Sequence, residues 1–94
     1  MSTEESLKKL GLKLPAPAPK GGLYAPVKIV GSLAYVSGQG CTESGKPLFV
    51  GKVGREITLE QGQEAARVCV LNALAALKAH LGDLDRVAGV LKVL

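Results

Sequence analysis

The segment from Thr58 to Gly82 constrains the fold of this 94-residue chain more than any other stretch. Thr58 begins a capping box, in which its hydroxyl caps a helix and Gln61 bonds back to the cap. The pattern predicts a helix that runs to about Leu81 and ends at Gly82, which tolerates a left-handed backbone. Helical spacing places six apolar residues on one face: Ala66, Val70, Ala73, Leu74, Leu77 and Leu81. We expect that face to be buried against a sheet.

A β-hairpin is predicted ahead of this helix. Tyr24–Val30 has the composition of a strand, and Pro26 restricts it to a sheet edge or a bulge. Gly31-Ser32 forms a two-residue turn between two apolar runs, which is typical of a hairpin. The second strand is predicted over Leu33–Ser37, where it ends against a glycine.

Weaker signals predict the remaining elements of the domain. We expect a loop over Cys41–Pro47, built around Ser44-Gly45, and a short third strand over Leu48–Val53. Arg86–Leu94 has the apolar composition of a buried strand. Because an apolar strand without a polar tail is prone to aggregate, we also expect the natural chain to continue past Leu94.

Residues 1–20 are predicted to be an N-terminal extension of one domain whose core spans residues 21–94. Thr3–Leu10 predicts a short helix, with Ser2 or Thr3 as its cap and Gly11 as its stop. Proline and alanine alternate over residues 14–20, which is typical of an extended polyproline arm. A short flexible linker is an equally open alternative.

Composition favours a cytoplasmic protein that assembles into an oligomer. The chain has no Trp and one Phe, so its core consists of small aliphatic side chains and gains from burial against another subunit. Cys41 and Cys69 lie 28 positions apart, outside any metal-ligand spacing, which predicts reduced thiols and no metal site. We expect neither a signal peptide nor a membrane span. The net charge of +4 is scattered without interleaved aromatics, so nucleic-acid binding is not expected.

The stretch Ser37-Gly38-Gln39-Gly40 is the candidate binding site. A strand that ends this way carries a hydroxyl at its tip, beside backbone that no Cβ shields. A small polar ligand could contact both the Ser37 hydroxyl and the N–H groups of the glycines. The competing interpretation is that Ser37 only satisfies nearby backbone in a turn.

Other polar residues are predicted to be structural. Asn72 lies among apolar neighbours of the helix, so a hydrogen bond to a nearby loop is favoured over catalysis. His80 lies in the last turn, where a cation complements the helix dipole. Cys41 could line the site, but a lone thiol without a nearby histidine does not indicate a nucleophile. Lys46 and Lys52 are expected to be solvated.

An ordered set of landmarks between Gly22 and Leu94 resembles the Rid proteins, also called YjgF-like or L-PSP endoribonuclease-like proteins. These landmarks are Gly22-Leu23-Tyr24, Gly31-Ser32-Leu33, Tyr35-Val36-Ser37-Gly38-Gln39, Gly51-Lys52-Val53-Gly54, Ala66-Arg67, Leu71-Asn72-Ala73-Leu74 and Gly82-Asp83-Leu84-Asp85-Arg86-Val87. The resemblance implies a two-layer, chorismate-mutase-like α+β domain and a homotrimer with clefts between subunits. It also implies hydrolysis of 2-imino or 2-enamino acids to 2-keto acids and ammonia, without a metal or organic cofactor.

Two pocket residues of the family have counterparts here. The resemblance implies that the Tyr24 hydroxyl orients the imine or the attacking water, and that Ser37 and the Gly38 region hold polar substrate groups. The family's carboxylate-binding arginine and its water-activating glutamate lie in a C-terminal third that these 94 residues lack. None of the three arginines of this chain, Arg55, Arg67 and Arg86, matches the arginine's motif.

Three functions follow as alternatives. An imine deaminase requires an anion-binding arginine beyond Leu94. A catalytically inactive trimer that binds a small ligand would assemble without turnover. An RNA-cleaving or RNA-binding protein, which one family name suggests, would need a clustered basic surface and an affinity that falls steeply with salt.

Overall fold

The computed structural model describes residues 2–16, 25–44 and 46–94, and its first element is a short, capped helix. Helix α1 spans Thr3–Lys9, and the Ser2 side chain accepts from Glu5 N at 3.1 Å. Glu5 returns a bond to the Ser2 N–H, which completes a capping box. The chain leaves α1 through Gly11, whose φ of +75° favours glycine. The predicted helix and its stop are confirmed, and residues 17–20 of the predicted proline arm lie outside the described residues.

Helix α1 packs against the other end of the described chain. Thr3 donates its N–H and its hydroxyl to Asp85 Oδ1, at 2.7 and 2.6 Å. Glu4 forms an ion pair with Lys78 in the last turn of the long helix. These polar contacts fix α1 beside residues that follow it by more than 70 positions.

The predicted hairpin is confirmed. Strand β1 spans Val27–Val30, strand β2 spans Leu33–Val36, and the two pair antiparallel with Val30 opposite Leu33. The turn contains Gly31 at φ +59°, a conformation in which a side chain is strained. The predicted start of the first strand, at Tyr24, lies outside the described residues.

The loop predicted over residues 41–47 contains a second, smaller hairpin. Strand β3 spans Thr42–Glu43 and pairs antiparallel with β4, which spans Lys46–Pro47. Ser44 has φ +53° and makes the turn. The turn position was therefore predicted, while the paired residues on either side of it were not.

The third strand predicted over residues 48–53 is wrong. Only Val53 is paired, through an isolated parallel bridge to Ile57. Gly51 has φ +135° and Gly54 has φ +89°, so the backbone turns twice where a strand would have to stay extended. The Gly54 N–H donates to the Ile57 carbonyl at 2.7 Å and closes the turn.

The long helix is confirmed at both ends, but the predicted buried face is only partly correct, because Leu74, Leu77 and Leu81 are half-buried and none of its six residues is fully buried. Helix α2 spans Leu59–Leu81, with Thr58 as N-cap and Gly82 at φ +86° as C-cap. Its buried residues are Asn72, Ala75 and Ala76, whereas Val70 on the predicted face is 54% exposed. The helix is rotated so that its smallest side chains meet the hairpins and the Asn72 amide is satisfied. The apolar core consists of Val27, Ile57, Ala75, Ala76 and Leu84.

The strand predicted over residues 86–94 is also wrong. A 3₁₀ turn spans Leu84–Arg86, capped by the Asp83 side chain, and buries Leu84 in the core. Residues 87–94 then have no regular structure, and Leu91 is 84% exposed. A strand needs a neighbour for its backbone hydrogen bonds, and no described strand lies beside this segment.

Two helices and two small antiparallel sheets make up the described fold, which confirms the predicted α+β class. Helix α2 lies against β1, β2 and β3 and positions the loop that joins β2 to β3. Across residues 2–16, 25–44 and 46–94, neither helix combines the length and apolarity that crossing a membrane requires.

Candidate functional site

Ser37 follows the last residue of β2, and its backbone N–H and its hydroxyl both contact the chain ahead of β1. Its N–H donates to the Pro26 carbonyl at 2.9 Å and extends the hairpin by one bond. Its hydroxyl donates to the Ala25 carbonyl at 2.5 Å. The hydroxyl proton is therefore occupied, while the oxygen keeps lone pairs that can accept from a ligand. Ser37 does satisfy local backbone, and it retains the capacity to bind.

The backbone after Ser37 is open. A Cβ built on Gly38 would have no heavy atom within 4 Å, and one built on Gly40 would meet only Thr42 Cγ2, at 3.7 Å. Among the residues that the structure describes, no acceptor pairs with the N–H of Gly38 or Gly40. Gln39 Nε2 lies 3.3 Å from the Ser37 carbonyl and folds its side chain back along the loop. The loop therefore has two N–H groups without a partner among the described residues, at glycines whose Cβ directions are open.

Asn72 anchors the far end of this loop to α2. Its Nδ2 atom donates to the Gly40 carbonyl at 2.9 Å and to the Thr42 carbonyl at 3.0 Å. Asn72 is 2% exposed, so these bonds replace the water that its amide would otherwise require. The predicted structural bond from Asn72 to a loop is confirmed. The glycines are thus held at fixed positions by β2 on one side and by α2 on the other.

The hydrogen bonds of Asn72 place Cys41 and Cys69 on the same side of α2, a relationship that the sequence does not reveal. Cys41 lies between the two residues whose carbonyls Asn72 holds, and Cys69 precedes Asn72 by three residues on α2. Cys41 Sγ lies 3.6 Å from the Phe49 carbonyl. The pKa of Cys69 is raised, first by burial and then by the charge of the nearby Cys41. The spacing of 28 residues between the cysteines did not predict this arrangement. The position of Cys41 depends on the hydrogen bonds that Asn72 donates to the residues on either side of it.

The other predicted site residue, Tyr24, lies outside the described residues, and the three arginines have partners elsewhere. Arg55 pairs with Glu56 at 3.5 Å, and Arg67 pairs with Glu64 at 3.0 Å. Arg86 Nη1 donates to the Leu81 carbonyl at 2.9 Å, at the end of α2. None of these contacts joins an arginine to the Ser37–Gly40 loop.

The remaining candidates lie at the surface. His80, Lys46 and Lys52 are exposed, and His80 lies in the last turn of α2. Within the part of the chain that the structure covers, no group of three or more His, Cys, Asp or Glu residues is arranged to hold a metal ion.

Comparisons with known proteins bear on the family and the fold of the chain. The profile of the family described as "YjgF/chorismate mutase-like, putative endoribonuclease" matches residues 4–94. Protein TCP17 of Trypanosoma cruzi is 39% identical over 88 residues, which cover 94% of this chain and 55% of that protein. The chain therefore spans about half the length of this curated relative.

Two crystal structures share the fold. One, a "putative endoribonuclease" from Shewanella oneidensis, has 41% identity and a TM-score of 0.84 over 92% of this chain and 57% of its own. The other, Atu1372 from Agrobacterium tumefaciens, a protein of unknown function, has 46% identity and a TM-score of 0.72. That match covers 87% of this chain and 48% of the Agrobacterium protein. The α+β architecture is therefore of the YjgF/chorismate-mutase-like type.

Proposed function

The chain belongs to the YjgF/chorismate mutase-like family, and on that premise we propose that it binds 2-imino or 2-enamino acids at the Ser37–Gly40 loop. The whole protein would hydrolyse them to 2-keto acids and ammonia. The observation that carries this proposal is the open backbone of Gly38 beside the Ser37 oxygen. Donors and an acceptor lie side by side there, which suits a ligand that has both a carboxylate and an iminium N–H.

The chemistry assigns a role to each group of the loop. Water adds to the C=N carbon of the protonated imine, and the resulting carbinolamine releases ammonia and leaves a 2-keto acid. Ser37 Oγ donates its proton to the Ala25 carbonyl, so its free lone pairs would accept from the iminium N–H. The N–H groups of Gly38 and Gly40 would bind the carboxylate or the oxygen that develops in the adduct.

Further groups complete the proposed reaction. Tyr24, by the resemblance, would orient the imine or the water. The family's carboxylate-binding arginine and water-activating glutamate would come from residues beyond these 94, because the chain spans about half of TCP17. The loop then contributes binding and orientation, which are large terms in catalysis. No metal or organic cofactor takes part in this scheme.

We also propose that the site forms between the subunits of a cytoplasmic homotrimer. Val30, Leu33 and Tyr35 lie on one face of the β1–β2 hairpin, since Val30 is paired with Leu33 and side chains alternate along a strand. All three are exposed, Tyr35 by 60%, so this face gains from burial against another subunit. The free thiols of Cys41 and Cys69 support a reducing compartment.

The test uses the whole protein, which would supply the arginine and the glutamate, and an imino acid made in place by an amino-acid oxidase, with the rate of 2-keto acid release as readout. Gly38→Ala is the informative variant, because its new methyl group would occupy the open space where the ligand approaches. Gly89→Ala is the matched control, since a Cβ there also meets nothing within 4 Å. We expect the rate of 2-keto acid release to fall at least tenfold in Gly38→Ala and to stay unchanged in Gly89→Ala. Equal rates in the two variants would show that the Ser37–Gly40 loop takes no part in the reaction.

A catalytically inactive trimer that binds a small ligand is the second candidate, and the engaged Ser37 hydroxyl favours it. Titration calorimetry with a stable 2-keto acid distinguishes the two functions. Binding that Gly38→Ala abolishes, without any imine hydrolysis by the whole wild-type protein, would assign the site to binding alone. Absence of both binding and turnover would contradict both candidates.

RNA cleavage, which the family description names, has less support from the described surface. Arg55, Arg67 and Lys78 each form an ion pair with a glutamate, which reduces the positive charge available to phosphates. RNA binding would have to weaken steeply as salt is added. A gel-shift titration at two salt concentrations therefore separates this function from the other two.

A further inference from the structure

The two hydrogen bonds from Asn72 restrict the backbone of the residue between their acceptors. Nδ2 of Asn72 holds the carbonyls of Gly40 and Thr42, and the residue between them is Cys41. The Cys41 carbonyl points the other way, because it accepts from the Leu48 N–H at 2.9 Å. Cys41 is thus fixed on both sides of its backbone, directly beside α2.

Cys69 lies on the same side of α2 as the anchor. Residues three apart on a helix share a face, with Cβ atoms roughly 5–6 Å from each other. Cys69 and Asn72 have this spacing, so Cys69 is one helical turn from the amide that holds the Cys41 backbone. Both thiols are free, and both residues are partly accessible to solvent.

The electrostatics of the thiols agree with this placement. Burial raises the pKa of Cys69, and the charge of Cys41 raises it further, as expected for two thiols on the same side of α2. The raised pKa lowers the thiolate fraction of Cys69, so Cys69 is assigned the resolving step rather than the attack on the oxidant.

We propose that Cys41 and Cys69 form a dithiol that a peroxide closes into a disulfide, which fixes the Ser37–Gly40 loop to α2. The Cys41 thiolate attacks one oxygen of hydrogen peroxide, the O–O bond breaks, and hydroxide leaves as water after it takes a proton. The product is Cys41 sulfenic acid. The Cys69 sulfur then attacks the Cys41 sulfur, the S–O bond breaks, and a second water leaves with the Cys69 proton. The two thiols are oxidised by two electrons and the peroxide is reduced.

The Cys41–Cys69 disulfide would restrict the candidate site without contacting a bound ligand. Gly38 and Gly40 lie within three residues of Cys41, so a covalent link from Cys41 to α2 restricts the loop that carries the two exposed N–H groups. A dithiol reductant would release it. The formation of the disulfide does not depend on the imine chemistry, so the two proposals can fail separately.

The test treats the folded chain with hydrogen peroxide and follows its intact mass after the remaining thiols are alkylated under denaturing conditions. We expect a species that has lost two hydrogens, resists alkylation at both cysteines and yields a Cys41–Cys69 linked peptide on proteolysis. A dithiol reductant should restore both alkylation sites. Peptide mapping of the wild-type chain gives this answer without any variant.

Two variants identify the order of the steps. In Cys69→Ser, Cys41 should accumulate as a sulfenic acid that dimedone traps, because no partner thiol resolves it. In Cys41→Ser, oxidation of Cys69 should be at least tenfold slower. Independent over-oxidation of both cysteines, or disulfides that form only between chains, would overturn the proposal.

Discussion

Thr3 donates both its backbone N–H and its hydroxyl to a single oxygen of Asp85, 82 positions further along the chain. The pair joins α1 to the 3₁₀ turn that follows α2. The two bonds make an electrostatic link that depends on the charge of one exposed carboxylate.

This link predicts an acid-sensitive attachment of α1. The hydrogen bonds from Thr3 lower the pKa of Asp85 below its ordinary value of about 3.9. A carboxyl whose pKa is lower in the folded state stabilises the fold above the unfolded pKa, and this contribution is lost as pH falls through the folded value. Below about pH 4, the protection factors of the α1 amides, which correct the exchange rates for their intrinsic pH dependence, should therefore fall in the wild type.

The matched comparison uses Asp85→Asn and Glu43→Gln. The first variant removes the titrating group, so its α1 amides should exchange quickly at neutral pH and respond less to acid. The second changes an exposed carboxylate on β3 and should keep the wild-type profile. Identical acid profiles for Asp85→Asn and the wild type would show that another group controls α1.

Asn72 is predicted to be the most sensitive polar residue of the described core. Asn72→Ala removes the buried amide that bonds the carbonyls of Gly40 and Thr42 and should lower the free energy of unfolding by about 1–2 kcal/mol. Asn72→Asp should cost more, because a carboxylate would face two carbonyl oxygens. Urea unfolding measures both changes, with the exposed Gln63→Ala on the same helix as control. If the free energy of unfolding changed no more in the Asn72 variants than in the control, Asn72 would not be holding the loop.

Gly51 is predicted to tolerate no side chain. A Cβ there would lie 2.6 Å from Glu56 Cβ, and its φ of +135° is strained for any other residue. Gly51→Ala should therefore lower the free energy of unfolding by about 2–3 kcal/mol. Gly89→Ala, where the new methyl group meets nothing within 4 Å, should change it little. Equal thermal midpoints for the two variants would contradict the geometry of this turn.

Ser37 is predicted to act on both stability and binding. Ser37→Ala removes the hydroxyl bond to the Ala25 carbonyl and should lower the free energy of unfolding by about 1 kcal/mol. In the imine assay it should raise KM more than it lowers kcat, since the proposed role is to accept from bound substrate. Ser37→Thr retains the hydroxyl and should recover most of the affinity. A purely structural hydroxyl would leave KM unchanged once the folded fraction is corrected for.

Local signals made much of this fold predictable. The capping box at Thr58 and the stop at Gly82 determine the ends of α2 through bonds within a few residues. The Gly31-Ser32 turn determines the hairpin register in the same way. Such signals need no knowledge of the rest of the chain, which is why these elements were correctly located.

The errors occurred where the outcome depends on distant partners. Periodicity identified an apolar face of α2, but the buried face includes the polar Asn72, because two loop carbonyls more than 25 positions away satisfy its amide. The segment 87–94 has strand composition, yet composition does not supply a neighbouring strand. At the candidate site, Ser37 and the glycines were identified from the sequence, whereas the approach of Cys41 to Cys69 required the folded loop.

Helix α1 has only seven residues, fewer than the roughly 12 that a helix needs to persist alone in water. Its helical structure therefore depends on its contacts with Asp85 and Lys78, and both residues must already be in place when α1 docks. Since closing a loop of 82 residues is entropically unfavourable, α1 should be the last described element to form and the first to open. The amino-terminal turn is thus a natural reporter of whether the last turn of α2 is intact, and a single probe on the exposed Lys9 would follow local opening before global unfolding begins.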